Sequence, residues 1–414
     1  MKWWWAGVYG ALMQKKRSER ASGSPLRAPA RDSVALVVGS TSLAGAALLD
    51  ILPLEDTPGG PWTVHAISRR PLPAWYAAAQ PPSVTHVHLD LADADAVAEA
   101  LTPLTDITHV FYFAWASSPP PAPSATDIDK EQAEVEERAA NCAMLRNVLS
   151  VVVPNCPVLA HICIQTSRRH FVDPFEPLSS MPIKLRPFSE DLPRLTYPDL
   201  EDTLLDGLNE RKGSPVTWSV HRPATIFGFS PRSARNIVAS LCVYAAICHE
   251  ERVKLRWPGS RVVWEGFSDA SDAELVAEQA LWSALEPNGK NEAFHCTNGD
   301  VYTWKLLWPM LAFHFNLEWT GYEGQDQRFK LEEAMAGKEE VWAEIVKEHD
   351  LLEADLEEIT NWRFVDAVLS EEKAHLDTMN KSKEYGFLGF RNTVRCFNAW
   401  VAKLKSSSIV PNLV

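Results

Sequence analysis

The chain lacks the usual signatures of metal, disulfide and membrane chemistry. Its 7 cysteines (142, 156, 163, 242, 248, 296 and 396) are odd in number, scattered, and never spaced as Cys-x-x-Cys. That excludes a zinc knuckle and a disulfide framework, and reads as buried, reduced thiols in a reducing compartment. No apolar run reaches the roughly 18 residues of a membrane span; the longest, Ile237 to Cys248, has the length of a buried helix. Positive charge is in deficit, 40 Lys and Arg against 54 Asp and Glu for a net charge of −14. Broad binding to nucleic acid or to anionic membranes is therefore not expected, although a local basic pocket for one phosphorylated ligand is still allowed. There is no internal repeat and no low-complexity block.

What is present is ordinary for a large globular protein: 46% hydrophobic and 23% charged residues over 414 positions. This excludes wholesale disorder and fibrous architecture. The length suits two to three domains, or one large α/β unit with a substrate-binding extension. At the start, Trp3-Trp4-Trp5 opens an apolar stretch whose basic cluster (Lys15, Lys16, Arg17) follows it. That is the wrong polarity for a secretory signal. A tryptophan-rich helix packed on the body is the expectation, with an amphipathic membrane or transit segment as the alternative, and the protein is expected in the cytosol. Residues 14–31, basic and rich in Ser, Pro and Ala, read as a connector.

From residue 32 onward the pattern alternates. Val34–Val38 is a short β-branched run suited to a strand buried on both faces, followed by a small-residue turn and helical Ala46–Leu52. Further strand-like runs fall at 63–70, 84–90, 109–115, 159–167 and 216–228, with helical stretches between them. Such alternation predicts a doubly wound parallel sheet of Rossmann type. Beyond about residue 230 the chain is rich in Trp, Glu and Lys at helical spacing, notably 326–358 and 362–383. The expected division is a segment 1–31, a cofactor-binding domain 32–230 to which a stretch near 265–300 returns, and a smaller, mostly helical substrate portion 231–414.

The sharpest local motif is Gly39-Ser-Thr-Ser-Leu-Ala-Gly45, set between a strand and a helix. Glycines there let the backbone turn tightly and approach a pyrophosphate, which the helix N-terminus then receives. Ser42 stands where the middle glycine of the usual pattern would be, and a tight turn without a ligand is the competing reading. At the end of the second strand stands Ser68-Arg69-Arg70. An acidic residue there would bind a free ribose 2′-hydroxyl, whereas two arginines neutralise a 2′-phosphate, so NADPH is favoured over NADH. A solvated charge pair before Pro71 is the alternative. Asp90, ending the third strand, is placed to accept from the adenine amino group. His86 and His88 share a strand face without a further ligand, His161 and His221 read as core residues, and His170 is a candidate for the substrate pocket. The hydroxyls of Ser33, Ser40 and Ser42 have no partner spacing for nucleophilic catalysis. Trp304, Trp308, Trp319, Trp342 and Trp362 read mostly as helix packing, with one or two of them, Phe229 or Phe390 facing an apolar pocket.

Long stretches carry a more specific resemblance. WWWAG at 3–7, ILPLEDTPGGPW at 51–62, RRP at 69–71, LTDITHVFY at 104–112, MLRNVL at 144–149, HRPATIFGFSP at 221–231, VYAAIC at 243–248 and NKSKEYGFLGFRN at 380–392 are similar to the plant progesterone 5β-reductase and iridoid synthase family of short-chain dehydrogenases. The resemblance runs over nearly the whole chain. It implies an extended Rossmann-type fold, NADPH, and conjugate reduction of activated C=C bonds in small or steroid-like enones and enals. It also implies a cofactor-contacting set of Gly39, Thr41, Ser42, Leu43, Gly45, Arg69, Arg70, Asp90, Leu91, Ala114, Gln165, Ile226, Ser233, Ala234 and Arg235. No metal is implied and no nucleic acid, and a homodimer is the candidate assembly.

The departures fall at the chemistry. Where the family has Gln-Thr-Gly-Thr-Lys-His-Tyr, this chain has Gln165-Thr-Ser-Arg-Arg-His-Phe171, so Arg169 takes the catalytic lysine position. Where the family has Asn-Phe-Tyr-Tyr-x-x-Glu-Asp, the segment here is Leu195-Thr-Tyr-Pro-Asp-Leu-Glu-Asp202, four residues shorter. Pro198 then occupies the catalytic tyrosine slot and Tyr197 the one before it. Ala114 replaces a threonine beside the cofactor, while Trp115 is kept. Tyr197 and Arg169 are therefore the catalytic candidates. Three readings follow: an enone reductase, slowed or redirected by these changes; a cofactor-binding protein with little catalysis; and, ranked last because no Tyr-x-x-x-Lys exists, a sugar-nucleotide epimerase.

Overall fold

The computed structural model describes residues 33–117, 127–167, 187–190, 192, 199–209, 215–233, 235–352 and 355–413. Its centre is a seven-stranded sheet in which every pairing is parallel: β1 (Ser33–Val38), β2 (Trp62–Ser68), β3 (Val84–His88), β4 (His109–Tyr112), β5 (His161–Gln165), β6 (Thr217–Pro223) and β7 (Glu292–Cys296). The spatial order is β7-β6-β5-β4-β1-β2-β3. The chain thus winds outward from β1 to β3, then crosses back to place β4 on the other side of β1. Ligands of open α/β sheets bind in the crevice at the carboxyl ends of the two strands flanking such a reversal.

Both sheet faces are covered, which is why the strands read as continuous apolar runs rather than alternating ones. Ala35 and Val37 of β1 face α1 (Leu43–Ile51), together with Leu48, Phe111, Trp282 and Phe294. Leu36 and Val38 point to the opposite face, against Leu145 of α2 (Asp127–Asn155) and Leu204 of α3 (Leu200–Asn209). The apolar run noted in the sequence is α4 (Ile237–Glu250), and its residues from Ile237 to Cys248 are all buried. It forms the centre of a third core with Trp257, Trp304, Trp308 and Phe397. Helix α5 (Ala273–Leu285), capped by the Asp272 carboxylate accepting from the Leu275 amide, returns the chain to the sheet and leads into β7.

All seven cysteines are unbridged and buried. No helix among the described residues is long and apolar enough to cross a membrane, and no group of His, Cys, Asp and Glu there could hold a metal ion. The helical spacing seen at 326–358 and 362–383 resolves into short pieces, Leu331–Ala334, Glu339–Glu348, Leu356–Ile359, Trp362–Leu369 and Asn380–Glu384. Gly337 and Asp350, at φ of 74° and 50°, adopt the left-handed conformation that ends a helix. Trp304, Trp308 and Trp342 are buried packing residues, whereas Trp319 and Phe390 are exposed.

Candidate active site

The turn after β1 is built by local constraints. Gly39 has φ of 82°, and its amide and that of Ser40 both donate to the Ile67 carbonyl of β2. A Cβ on Gly39 would lie 2.5 Å from the Ala114 amide nitrogen, so the turn presses directly on the end of β4. A Cβ on Gly45 would lie 2.3 Å from the Gly39 carbonyl oxygen, so the first turn of α1 packs against the loop backbone. Ser42 needs no glycine freedom, at φ −71°; its hydroxyl caps α1 by accepting from the Gly45 amide at 3.0 Å. The amides of Leu43 and Ala44 belong to the first turn and have no intrahelical acceptor, which suits a phosphate. Leu43 itself is buried and packs near Gly228.

A second segment lies over this turn. The Ser230 hydroxyl donates to the Thr41 carbonyl at 2.6 Å, and two residues later the Arg232 carbonyl accepts from Arg70 Nη2 at 2.8 Å. Residues 230–232 therefore join the glycine turn to the end of β2. Arg70 and Arg232 both approach the Glu358 carboxylate, at 3.5 and 3.8 Å. Burial pulls the Arg70 guanidinium below its ordinary range, Glu358 opposes this, and Arg232 and Arg69 add repulsion. Arg69 is exposed beside them. The Asn236 side chain caps α4 by accepting from the Ala239 amide and donates to the Gly228 carbonyl, which ties the start of α4 back to Gly228. Ile226 pairs with Ser271 in a two-stranded parallel ribbon.

On the other side, β3 ends at His88, and Asp90 lies beyond it, exposed, its Oδ1 accepting from the Ala92 amide. Leu91 is buried, and its carbonyl accepts from Asn147 of α2. The chain leaving β4 is clamped by Asn141: Oδ1 accepts from the Ala116 amide, and Nδ2 donates to the Ala116 and Glu137 carbonyls, each at 2.8 Å. Ala114 is thereby fixed against Gly39, and the half-exposed Trp115 donates to Glu137. Gln165, at the end of β5, has a buried Oε1 without a hydrogen-bond partner among the described residues. Its neighbour Thr166 donates to Glu201, which Arg222 grips twice, at 2.9 and 2.7 Å. Arg169, His170, Tyr197 and Ala234 lie outside the described residues.

Gly39, Thr41, Ser42, Leu43, Gly45, Arg70 and Ala114 thus converge at the reversal between β1 and β4 and the adjoining end of β2. Their chemistry fits a dinucleotide carrying a 2′-phosphate: a tight turn whose two glycines, Gly39 and Gly45, have no room for a Cβ, a helix N-terminus, and arginines at the end of β2. Sequence reasoning did not find Asn141, Ser230, Arg232 or Glu358. Ser230 and Arg232 lie inside the GFSPR stretch, but nothing in the sequence says that this stretch crosses the glycine turn. His161 and His221 are core residues, hydrogen-bonded to Thr217, Ser219, Gln279 and Ser283. Burial pushes His221 down to about 4.

Comparison with known proteins agrees with this architecture. A family model described as a PRISE-like Rossmann-fold domain matches residues 35–411. The chain is 46% identical over 415 residues to the (S)-8-oxocitronellyl enol synthase of Nepeta cataria, covering 99% of this chain and 100% of that one. It is equally 46% identical, with the same coverage, to the 3-oxo-Delta(4,5)-steroid 5-beta-reductase of Arabidopsis thaliana. Among solved structures, Gre2 of Candida albicans in complex with NADPH superposes with a TM-score of 0.57 at 13% identity, covering 91% of this chain and 99% of that one. The epimerase Mth375 of Methanothermobacter thermautotrophicus does so with 0.58 at 12%, covering 91% and 94%. At such identities these two structures speak for the fold alone. The curated relatives carry the names of enzymes, which lends the non-catalytic reading no support. Matched along almost its whole length by the family model and by these relatives, the chain belongs to the PRISE family, the progesterone 5β-reductase and iridoid synthase-like branch of Rossmann-fold oxidoreductases.

Proposed function

We propose that this protein is an NADPH-dependent reductase of activated C=C bonds, acting on small or steroid-like enones and enals. The observation that carries the reading is the 46% identity, over the full chain, to relatives named for two such reactions. In a 3-oxo-Δ4 steroid, C5 is the β-carbon of a conjugated ketone, and reduction there is 1,4-addition of hydride. An enol product likewise follows when hydride adds to the β-carbon of an enal. Both names therefore describe one elementary step.

NADPH, when bound, supplies the hydride. The residues that would hold it are the Gly39–Gly45 turn, Arg69 and Arg70 at the adenosine end, Asp90 and Leu91 near the base, and Ala114, Gln165, Ile226, Ser233 and Arg235 along the crevice, with Ala234 a further candidate on the sequence pattern. As charge builds on the substrate carbonyl oxygen, a hydroxyl must donate to it, and Tyr197 is the candidate. Arg169 would supply the fixed positive charge that a lysine gives in the family pattern, held at every relevant pH.

The test is NADPH oxidation with a panel of enones such as cyclohexenone, followed by product analysis. Turnover with saturation of the conjugated C=C bond is expected. Tyr197→Phe should lower kcat roughly 10²-fold, the size of one lost oxyanion donor, with NADPH affinity unchanged. Tight NADPH binding with no turnover of any enone would overturn the reading in favour of a cofactor-binding protein.

A further inference from the structure

The end of β2 carries more positive charge than the sequence motif suggested. Arg69, Arg70 and Arg232 meet there, and one carboxylate, Glu358, faces two of them at 3.5 and 3.8 Å. Three guanidiniums against one carboxylate leave a local excess of cation in a chain of net charge −14. The Nε of Arg232 is buried and has no hydrogen-bond partner among the described residues. That N–H is a donor which an anion at this strand end would satisfy, and the Arg232 side chain as a whole is 24% exposed, open to an incoming ligand. Arg232 is also held at the right place: Arg70 donates to its carbonyl, and Ser230, two residues before it, is hydrogen-bonded to the glycine turn. Glu358 arrives from the short helix Leu356–Ile359, far along the chain, and its side chain is 25% exposed.

We propose that Arg232 is the third arginine of the 2′-phosphate site, and that Glu358 occupies the arginines as a stand-in anion which the phosphate must displace. The inference rests on the NADPH reading above. Arg232 adds affinity only for a ligand that carries the phosphate. Glu358 subtracts from the same affinity, because its carboxylate competes for Arg70 and Arg232 and repels the incoming dianion. The Glu358 carboxylate thereby sets how strongly the protein discriminates between NADPH and NADH.

The experiment measures dissociation constants by calorimetry for the full-length wild type, Arg232→Met, Glu358→Gln and the double variant. The ligands are NADPH, NADH, adenosine 2′,5′-bisphosphate, 5′-AMP and inorganic phosphate. Arg232→Met should weaken NADPH and the bisphosphate about tenfold, the value of one charge-assisted contact, and leave NADH and 5′-AMP within twofold. Glu358→Gln should tighten the two 2′-phosphorylated ligands about three- to tenfold and leave the other nucleotides unchanged. Inorganic phosphate that binds as tightly as the bisphosphate would mark a free-phosphate site instead and overturn the assignment to the cofactor. If the wild type prefers NADPH but both single variants keep its ratio, the cofactor reading stands and this inference falls. If the wild type binds NADH as tightly as NADPH, both fall. Unfolding midpoints for each variant separate a binding change from a folding defect: a shift that affects all nucleotides equally is a structural role, and it refutes the proposal.

Discussion

Breaking the buried pair Glu201–Arg222 should be far more costly than removing it. Arg222 at the end of β6 donates from Nε and Nη2 to the two carboxylate oxygens of Glu201, in the first turn of α3, while Thr166 at the end of β5 donates to Oε1 at 3.2 Å. The side chains are 5% and 10% exposed, so water cannot replace a lost partner. In Arg222→Met, Glu201 loses two charge-assisted hydrogen bonds and stays buried, a situation that costs about 3–5 kcal/mol. Glu201→Gln replaces one of the two carboxylate oxygens that Arg222 grips with an amide nitrogen, which cannot accept, and should cost about 2–4 kcal/mol. The double variant removes both charges of the pair together and should sit only about 1–2 kcal/mol below the wild type.

The cycle thus predicts a coupling energy of at least about 2 kcal/mol, far above the roughly 0.5 kcal/mol within which independent sites add. Equilibrium unfolding in urea, followed by tryptophan fluorescence and circular dichroism with refolding from denaturant as a control, gives the four free energies. Additive losses would refute the reasoning. They would mean that water or side-chain rearrangement compensates Glu201 when Arg222 is gone.

Gly45→Ala should destabilise the protein by about 1–3 kcal/mol and weaken NADPH binding, because its Cβ meets the Gly39 carbonyl backbone at 2.3 Å; unchanged melting and binding would show that α1 can shift freely. Arg69→Ala with Arg70→Ala should cut the NADPH preference over NADH to what Arg232 alone supplies, and an undiminished preference in titrations would place the 2′-phosphate elsewhere. Burial holds His221 at about 4 against 6.5 in the unfolded chain, so the unfolded state binds more protons between these values. Its contribution is complete above pH 6.5 and lost as pH falls towards 4, by about 3 kcal/mol in all. Glu278, raised to about 7 by burial, acts in the opposite sense and loses its contribution as pH rises through 7. His221→Gln should therefore flatten the acid limb of the stability curve measured by urea unfolding from pH 4 to 7, and an unchanged slope would place the titrating group elsewhere.

The alternation of apolar runs and helical stretches determined the doubly wound sheet, because a strand buried on both faces must be continuously apolar and a parallel neighbour requires a crossover. Val34–Val38, the glycine turn after it and the arginines after the second strand were legible for the same reason: each is a local constraint, written within a few consecutive residues. What the tertiary structure decided is what approaches those residues from elsewhere in the chain. Ser230 meets Thr41, Asn141 clamps the exit of β4, and Arg232 and Glu358 meet Arg70, across separations of up to 288 residues. No periodicity encodes such meetings; they follow only once the sheet order has set which strand ends lie side by side. The Trp-, Glu- and Lys-rich stretch at 326–358 shows the converse. Its spacing is helical, but Gly337 and Asp350 turn left-handed, and packing against the tryptophan core, rather than propensity, set where each short helix ends.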